Sequence, residues 1–149
     1  MSVAGVVGRG LAAGAVGTVA LTLAEKAEMK LTGREPSTVP GQVGARLAGH
    51  DPQADVDLVR RLNPIVHWAH GISMGVVRAS LDAAGMSRRS ASVAFFPILW
   101  GSDAALYATL GIAPPPWRWS PRDLATDVYG KGVLAFATSG AYVAIRRAF

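Results

Sequence analysis

Four hydrophobic stretches, each about as long as a lipid bilayer is thick, constrain this chain more than any other feature. They run over residues 3–31, 64–85, 91–111 and 124–147. A hydrocarbon core of ~30 Å needs roughly 20 residues of helix at 1.5 Å per residue. Each stretch meets that length, yet none is a clean apolar run, because each carries at least one ionisable residue. Two readings compete on this pattern. A soluble four-helix bundle would bury one face of each helix, but the apolar faces are too broad for that. A bundle of four transmembrane helices buries them in lipid instead. Composition supports the second: half the residues are hydrophobic, only 17% are charged, and mean hydropathy is +0.28. The fold expected is therefore all-α, a single integral membrane domain over 1–149, with connections 32–63 and 112–123 on one side. A cleaved leader ending in the first stretch fits less well, since no well-placed small-x-small site follows it.

Small residues point the same way. Gly10, Gly14, Gly17, Ala20 and Ala24 recur at helical spacing in the first stretch, and Gly71-x-x-x-Gly75 lies in the second. Such seams let membrane helices approach closely, here to one another, to further copies of the chain, or to other membrane subunits. Pro64 is expected in the first turn of the second helix and Pro97 as a kink in the third.

The distribution of charge orients the chain. If all four stretches cross, the amino terminus, the second connection and the carboxyl terminus share a side that holds Arg9, Arg88, Arg89, Arg146 and Arg147, with no carboxylate side chain in those connections. The segment from Glu25 to Arg61 carries six basic and six acidic residues. The positive-inside rule then places both termini in the cytoplasm, in a plasma (cell inner) membrane. Basic residues never cluster beyond adjacent pairs, so the net charge of +5 gives no footprint for nucleic acid.

The segment "APPPWRWSP" interrupts the last two hydrophobic stretches. Its prolines cannot continue a helix, and Trp117 and Trp119 suit the interfacial aromatic belt. Ser120, Pro121 and Asp123 form a helix start, with serine as N-cap and proline in the first turn.

Counting inward from this side places Glu25, His67, His70, Asp103 and Lys131 in one layer, one group or more from each helix. Asp127–Lys131 and Arg78–Asp82 are also i,i+4 pairs. Ionisable groups at such depth are costly and mark a candidate site. Glu25, His67, His70, Arg78, Asp103, Asp127 and Lys131 are the binding candidates, with Arg78 read as snorkelling toward the basic side. The bland alternative is a set of register-fixing contacts, an Asp103–Lys131 pair and a Glu25–His67 hydrogen bond. Metal binding through Glu25, Glu28, His67, His70 and Asp103 is chemically reasonable, but Glu-x-x-Glu and His-x-x-His are weak signals. The metal and any cofactor stay unassigned. A catalytic motif is lacking: there is no G-x-S-x-G, no H-E-x-x-H and no cysteine.

The acid, apolar helix, Leu, Gly and proline-rich turn recur in "EKAEMKLTGREPSTVP" and "DAALYATLGIAPPPWRWSP". This faint duplication is read as two helical hairpins. The blocks R-x-P-S-x-V-P, H-W-x-x-G-x-x-x-G-x-x-R and P-P-W-x-W…D-x-x-x-K resemble a family of small, uncharacterised four-helix bacterial membrane proteins. More distantly, roughly the last 85 residues are similar to YagU-like inner-membrane proteins in helix pattern and in the turn that ends in Pro-Pro before the last span. The resemblance covers Pro40, His67, Trp68, Gly71, Gly75, Arg78, Asp103, Trp117, Trp119, Asp127 and Lys131, and implies membrane placement without an activity. The function expected is a non-enzymatic scaffold or accessory subunit in the bilayer, self-associating or joined to other subunits. The alternative is a proton- or metal-linked solute binder or transporter.

Overall fold

The computed structural model describes residues 2–148, and every regular element among them is helical. Five α-helices follow in order: α1 Val3–Thr32, α2 Val39–Leu47, α3 Val56–Ala83, α4 Arg88–Thr109 and α5 Pro121–Ala148. A single 3-10 turn, Pro116–Arg118, precedes α5. Three of the helices, α1, α4 and α5, are long and apolar enough to cross a membrane.

Along most of α1, side-chain size is distributed inside out relative to a water-soluble bundle. The face of α1 that meets its neighbours is built from Gly10, Ala13, Gly14, Gly17 and Thr18, all buried. Its large residues Leu11, Val16, Val19 and Leu23 point outward, as do Val93 and Phe136, the last 72% exposed. Small residues inward and large ones outward is the arrangement that lipid favours, because close backbone approach, not burial from water, holds membrane helices together.

Contact at the α1–α3 crossing is backbone to backbone. A Cβ on Gly14 would lie 2.3 Å from the Ile72 carbonyl oxygen, and one on Gly75 would lie 2.0 Å from that of Gly10. On the other side of α1, a Cβ on Gly17 would strike the Thr138 hydroxyl of α5. Gly10 meets Gly75, Gly14 meets Ile72, and Thr22 meets His67, so α1 and α3 run antiparallel. Gly17 opposite Thr138 and Leu21 opposite Gly130 make α1 antiparallel to α5 as well. Bonds from Arg78 to Ser92 and from His70 to Asp103 set α4 antiparallel to α3. The long helices therefore alternate in direction. Leu21, Phe95, Leu99 and Leu134 pack at the centre, and Ala13, Ala79 and Tyr142 nearer the end that carries the arginines.

Two boundaries differ from expectation. The second long helix starts at Val56, not at Pro64, which sits inside it. Leu58, Arg60, Arg61 and Leu62 before Pro64 favour helix, and Val59 between them is buried against α2. Pro64 has no N–H to give to the Arg60 carbonyl, but Arg60 is solvent-exposed, so water can satisfy it. The connection 32–63 likewise contains α2, whose Pro40 occupies the first turn and whose Val43 and Ala45 are buried. The Gly41 N–H donates to Asn63 Oδ1 (2.8 Å), tying α2 to α3. Pro97 lies within α4, which continues on both sides of it.

Candidate functional site

Opposite the arginine-bearing end, α1, α2, α3, α4, the proline–tryptophan turn and α5 surround a cavity of about 900 Å³. Asp103 is its polar anchor. It is buried on α4, and its Oδ2 accepts Lys131 Nζ from α5 and His70 Nε2 from α3 (3.1 Å). Lys131 also donates to the Tyr107 hydroxyl (3.1 Å), one turn along α4 from Asp103, and lies 5.6 Å from that ring's centroid. Three helices thus share one charge-assisted network, which fixes their register as well as the side chains.

His67 stands one turn from His70 on the same helix. Its Nε2 is 3.0 Å from Thr22 Oγ1 on α1. The Thr22 hydroxyl proton is already given to the Thr18 carbonyl (2.8 Å), so His67 is the donor and carries its proton on Nε2. His67 is thus held by Thr22, not by the expected bond to Glu25. Thr22 was missed from the sequence, although it lies one turn before Glu25 on the same face. Glu28 accepts Arg34 Nε (2.9 Å) and Nη2 (2.7 Å) on one oxygen, Oε2.

Of the seven sequence-derived candidates, six line this cavity: Glu25, His67, His70, Asp103, Asp127 and Lys131. The i,i+4 spacing pointed to an Asp127–Lys131 pair along α5, but Lys131 crosses to Asp103. Tyr107, Trp119, Arg118 and Arg122 complete the wall. Tyr107 was legible as the residue four after Asp103; the other three required the course of the turn. Trp117 is 83% exposed. Trp119 packs edge-on to Trp100, its indole N–H donates to the Pro114 carbonyl (2.6 Å), and it walls the cavity. Ser120 caps α5 through the Asp123 N–H (3.0 Å), as the sequence indicated.

Arg78 lies elsewhere. It does not snorkel: it is wholly buried near the arginine-bearing end. Its Nε donates to Ser139 (3.2 Å), Nη1 to Asp82 (2.7 Å), and Nη2 to the Arg88 carbonyl (3.2 Å) and Ser92 (3.0 Å). The guanidinium carbon sits 5.0 Å from the centre of the Tyr142 ring, and Arg146 reaches Asp82 from α5. Every arm of the fork is used, which fastens α3, α4 and α5 together and closes that end of the bundle. The long reach of Arg78 made snorkelling plausible from sequence. What decided against it is that its partners come from three separate helices.

Among the described residues no three His, Asp or Glu side chains are grouped so as to hold a metal ion. The carboxylates are dispersed around a large cavity, and the one at its centre is already shared by lysine and histidine. Comparison with protein families, with curated proteins and with solved structures finds no match to this chain. The class defined by fold and site is thus an all-helical protein with membrane-length apolar helices and a polar cavity between them.

Proposed function

We propose that this is a four-span plasma-membrane protein that binds a small solute in the cavity at its outward end. The observation that carries the reading is the cavity itself: about 900 Å³, walled by Glu25, His67, His70, Asp103, Asp127 and Lys131. That volume suits a small organic molecule, and a few polar groups converging in an otherwise apolar concavity are typical of ligand sites. In lipid these groups would be costly without something to solvate, and hydration or a ligand supplies it. Spanning by α3 as well is supported by its antiparallel packing along α1; of its charged residues, Arg78 and Asp82 are buried, and the exposed Asp57, Arg60 and Arg61 lie in its first two turns. Arg9, Arg88, Arg89, Arg146 and Arg147 favour a cytoplasmic location for the closed end, so the cavity would open outward.

An accessory-subunit role is favoured by one other observation. An apolar groove between α4 and α5, lined by Val93, Phe96, Val133 and Phe136, lies on the outer surface of the bundle and has room for a neighbouring helix. Cross-linking from Val93 in the native membrane would identify such a neighbour, or show lipid alone.

The chain has no cysteine, so single cysteines report accessibility cleanly. A Thr126→Cys variant, on the cavity wall, should react with a membrane-impermeant maleimide in intact cells. An Arg89→Cys variant should react only after permeabilisation. Absence of reaction at 126, or the reverse sidedness, would overturn the outward-cavity reading. Small molecules copurifying with the wild type, and lost on cavity substitution, would name the solute.

A further inference from the structure

Charges on the cavity wall are unequally satisfied. Lys131 is committed to Asp103 and Tyr107, Arg34 to Glu28, and His70 to Asp103. Asp123 is held by the Ser120 hydroxyl (2.6 Å). Two partly buried carboxylates, Glu25 on α1 and Asp127 on α5, have no ion pair.

These two carboxylates stand at one level. A Cβ on Gly130 would come within 3.8 Å of Glu25 Oε1, and Gly130 is one turn from Asp127 on the same helix. Glu25 therefore abuts α5 beside Asp127. The glycine at 130 lets the two helices come close, with Leu21 Cδ1 3.4 Å from where its Cβ would stand and the Glu25 carboxylate just beyond. The remaining guanidinium groups of the wall, Arg118 and Arg122, are exposed, on and just after the proline–tryptophan turn. The inner wall is left with an excess of negative charge, in a place where an unpaired carboxylate is expensive. Around it stand the rings of Trp68, Trp119 and Tyr129, and aromatic faces attract cations; the Tyr107 ring is already met by Lys131.

Resting on the solute-binding reading, we infer that the cavity takes an organic cation: an amine or quaternary ammonium carrying an apolar body, its charge held between Glu25 and Asp127. The aromatic rings accept the apolar part. The Asp103–Lys131 pair forms a neutral floor that positions both walls without competing for the charge.

The test uses the full chain in nanodiscs and three probes that share one aromatic body: benzyltrimethylammonium, benzyl alcohol and phenylacetate. Binding is read by calorimetry and by protection of the Thr126→Cys variant from maleimide. The cation should bind at least about tenfold more tightly than the other two. Glu25→Gln and Asp127→Asn should each weaken it by about tenfold, an ion pair in a partly desolvated site being worth that much. Glu25→Asp, which keeps the charge, should retain the preference and so separates charge recognition from misfolding. If the alcohol or the anion binds and protects as well as the cation, the cavity is a solute site and the cation inference is wrong. If none of the three protects position 126, the solute-binding reading falls with it.

Discussion

The Asp103–Lys131 pair makes the sharpest quantitative demand. Asp103 is 3% exposed and accepts both Lys131 and His70. Asp103→Asn leaves a buried ammonium whose remaining partner is the Tyr107 hydroxyl at 3.1 Å. Breaking a buried pair from one side costs roughly 3–5 kcal/mol, because the surviving charge is uncompensated. The Tyr107 contact returns about 1 kcal/mol of that, so a loss near 3 kcal/mol is expected. Lys131→Gln is milder, about 2 kcal/mol, since His70 remains to hold the carboxylate. The double variant removes both charges and leaves two amides that can bond each other, at a cost of only about 1–2 kcal/mol. Buried pairs replaced whole are commonly near neutral. The coupling energy of the cycle should therefore be about 3 kcal/mol, far above the ~0.5 kcal/mol scatter of independent sites. It is measured from unfolding free energies of the four proteins in bicelles. Additive single losses would refute the reasoning: the pair would then be solvated by cavity water, and its role in fixing α3, α4 and α5 would vanish.

Two further substitutions test the frame around the cavity. Gly75→Ala places a methyl group 2.0 Å from the Gly10 carbonyl oxygen, so α1 and α3 must separate; a loss of about 1–3 kcal/mol is expected in the same unfolding assay, typical of overpacking. Arg78→Lys keeps the charge but cannot reproduce four donations to Ser139, Asp82, the Arg88 carbonyl and Ser92; it should destabilise by about 2–4 kcal/mol and raise proteolytic cleavage near Arg88, whereas a true snorkelling residue would tolerate it.

The sequence by itself determined the long helices, the small-residue seam, the capped start of α5 at Ser120, and the identity of most polar groups around the cavity. Those features follow from local rules: the spacing of Gly10, Gly14 and Gly17, the inability of Pro114–Pro116 to continue α4, and the cost of placing Asp103 or Lys131 in an apolar run. Even α2 left a trace, Pro40 in a first turn with Val39, Val43 and Leu47 on one face, though two glycines in nine residues obscured it. Tertiary structure alone decided the pairings. Lys131 has Asp127 one turn away on its own helix, yet it reaches Asp103, because the packing of α5 against α4 brings that carboxylate within hydrogen-bond range. His67 turned to Thr22 because the glycine crossing draws α1 against α3 at that level. Arg78 stayed inside because α3, α4 and α5 each brought it a partner. Sequence spacing specifies which groups must find partners, since a buried charge has to be satisfied. Which partner it finds depends on how helices distant in sequence come together, and that is a property of the packed bundle.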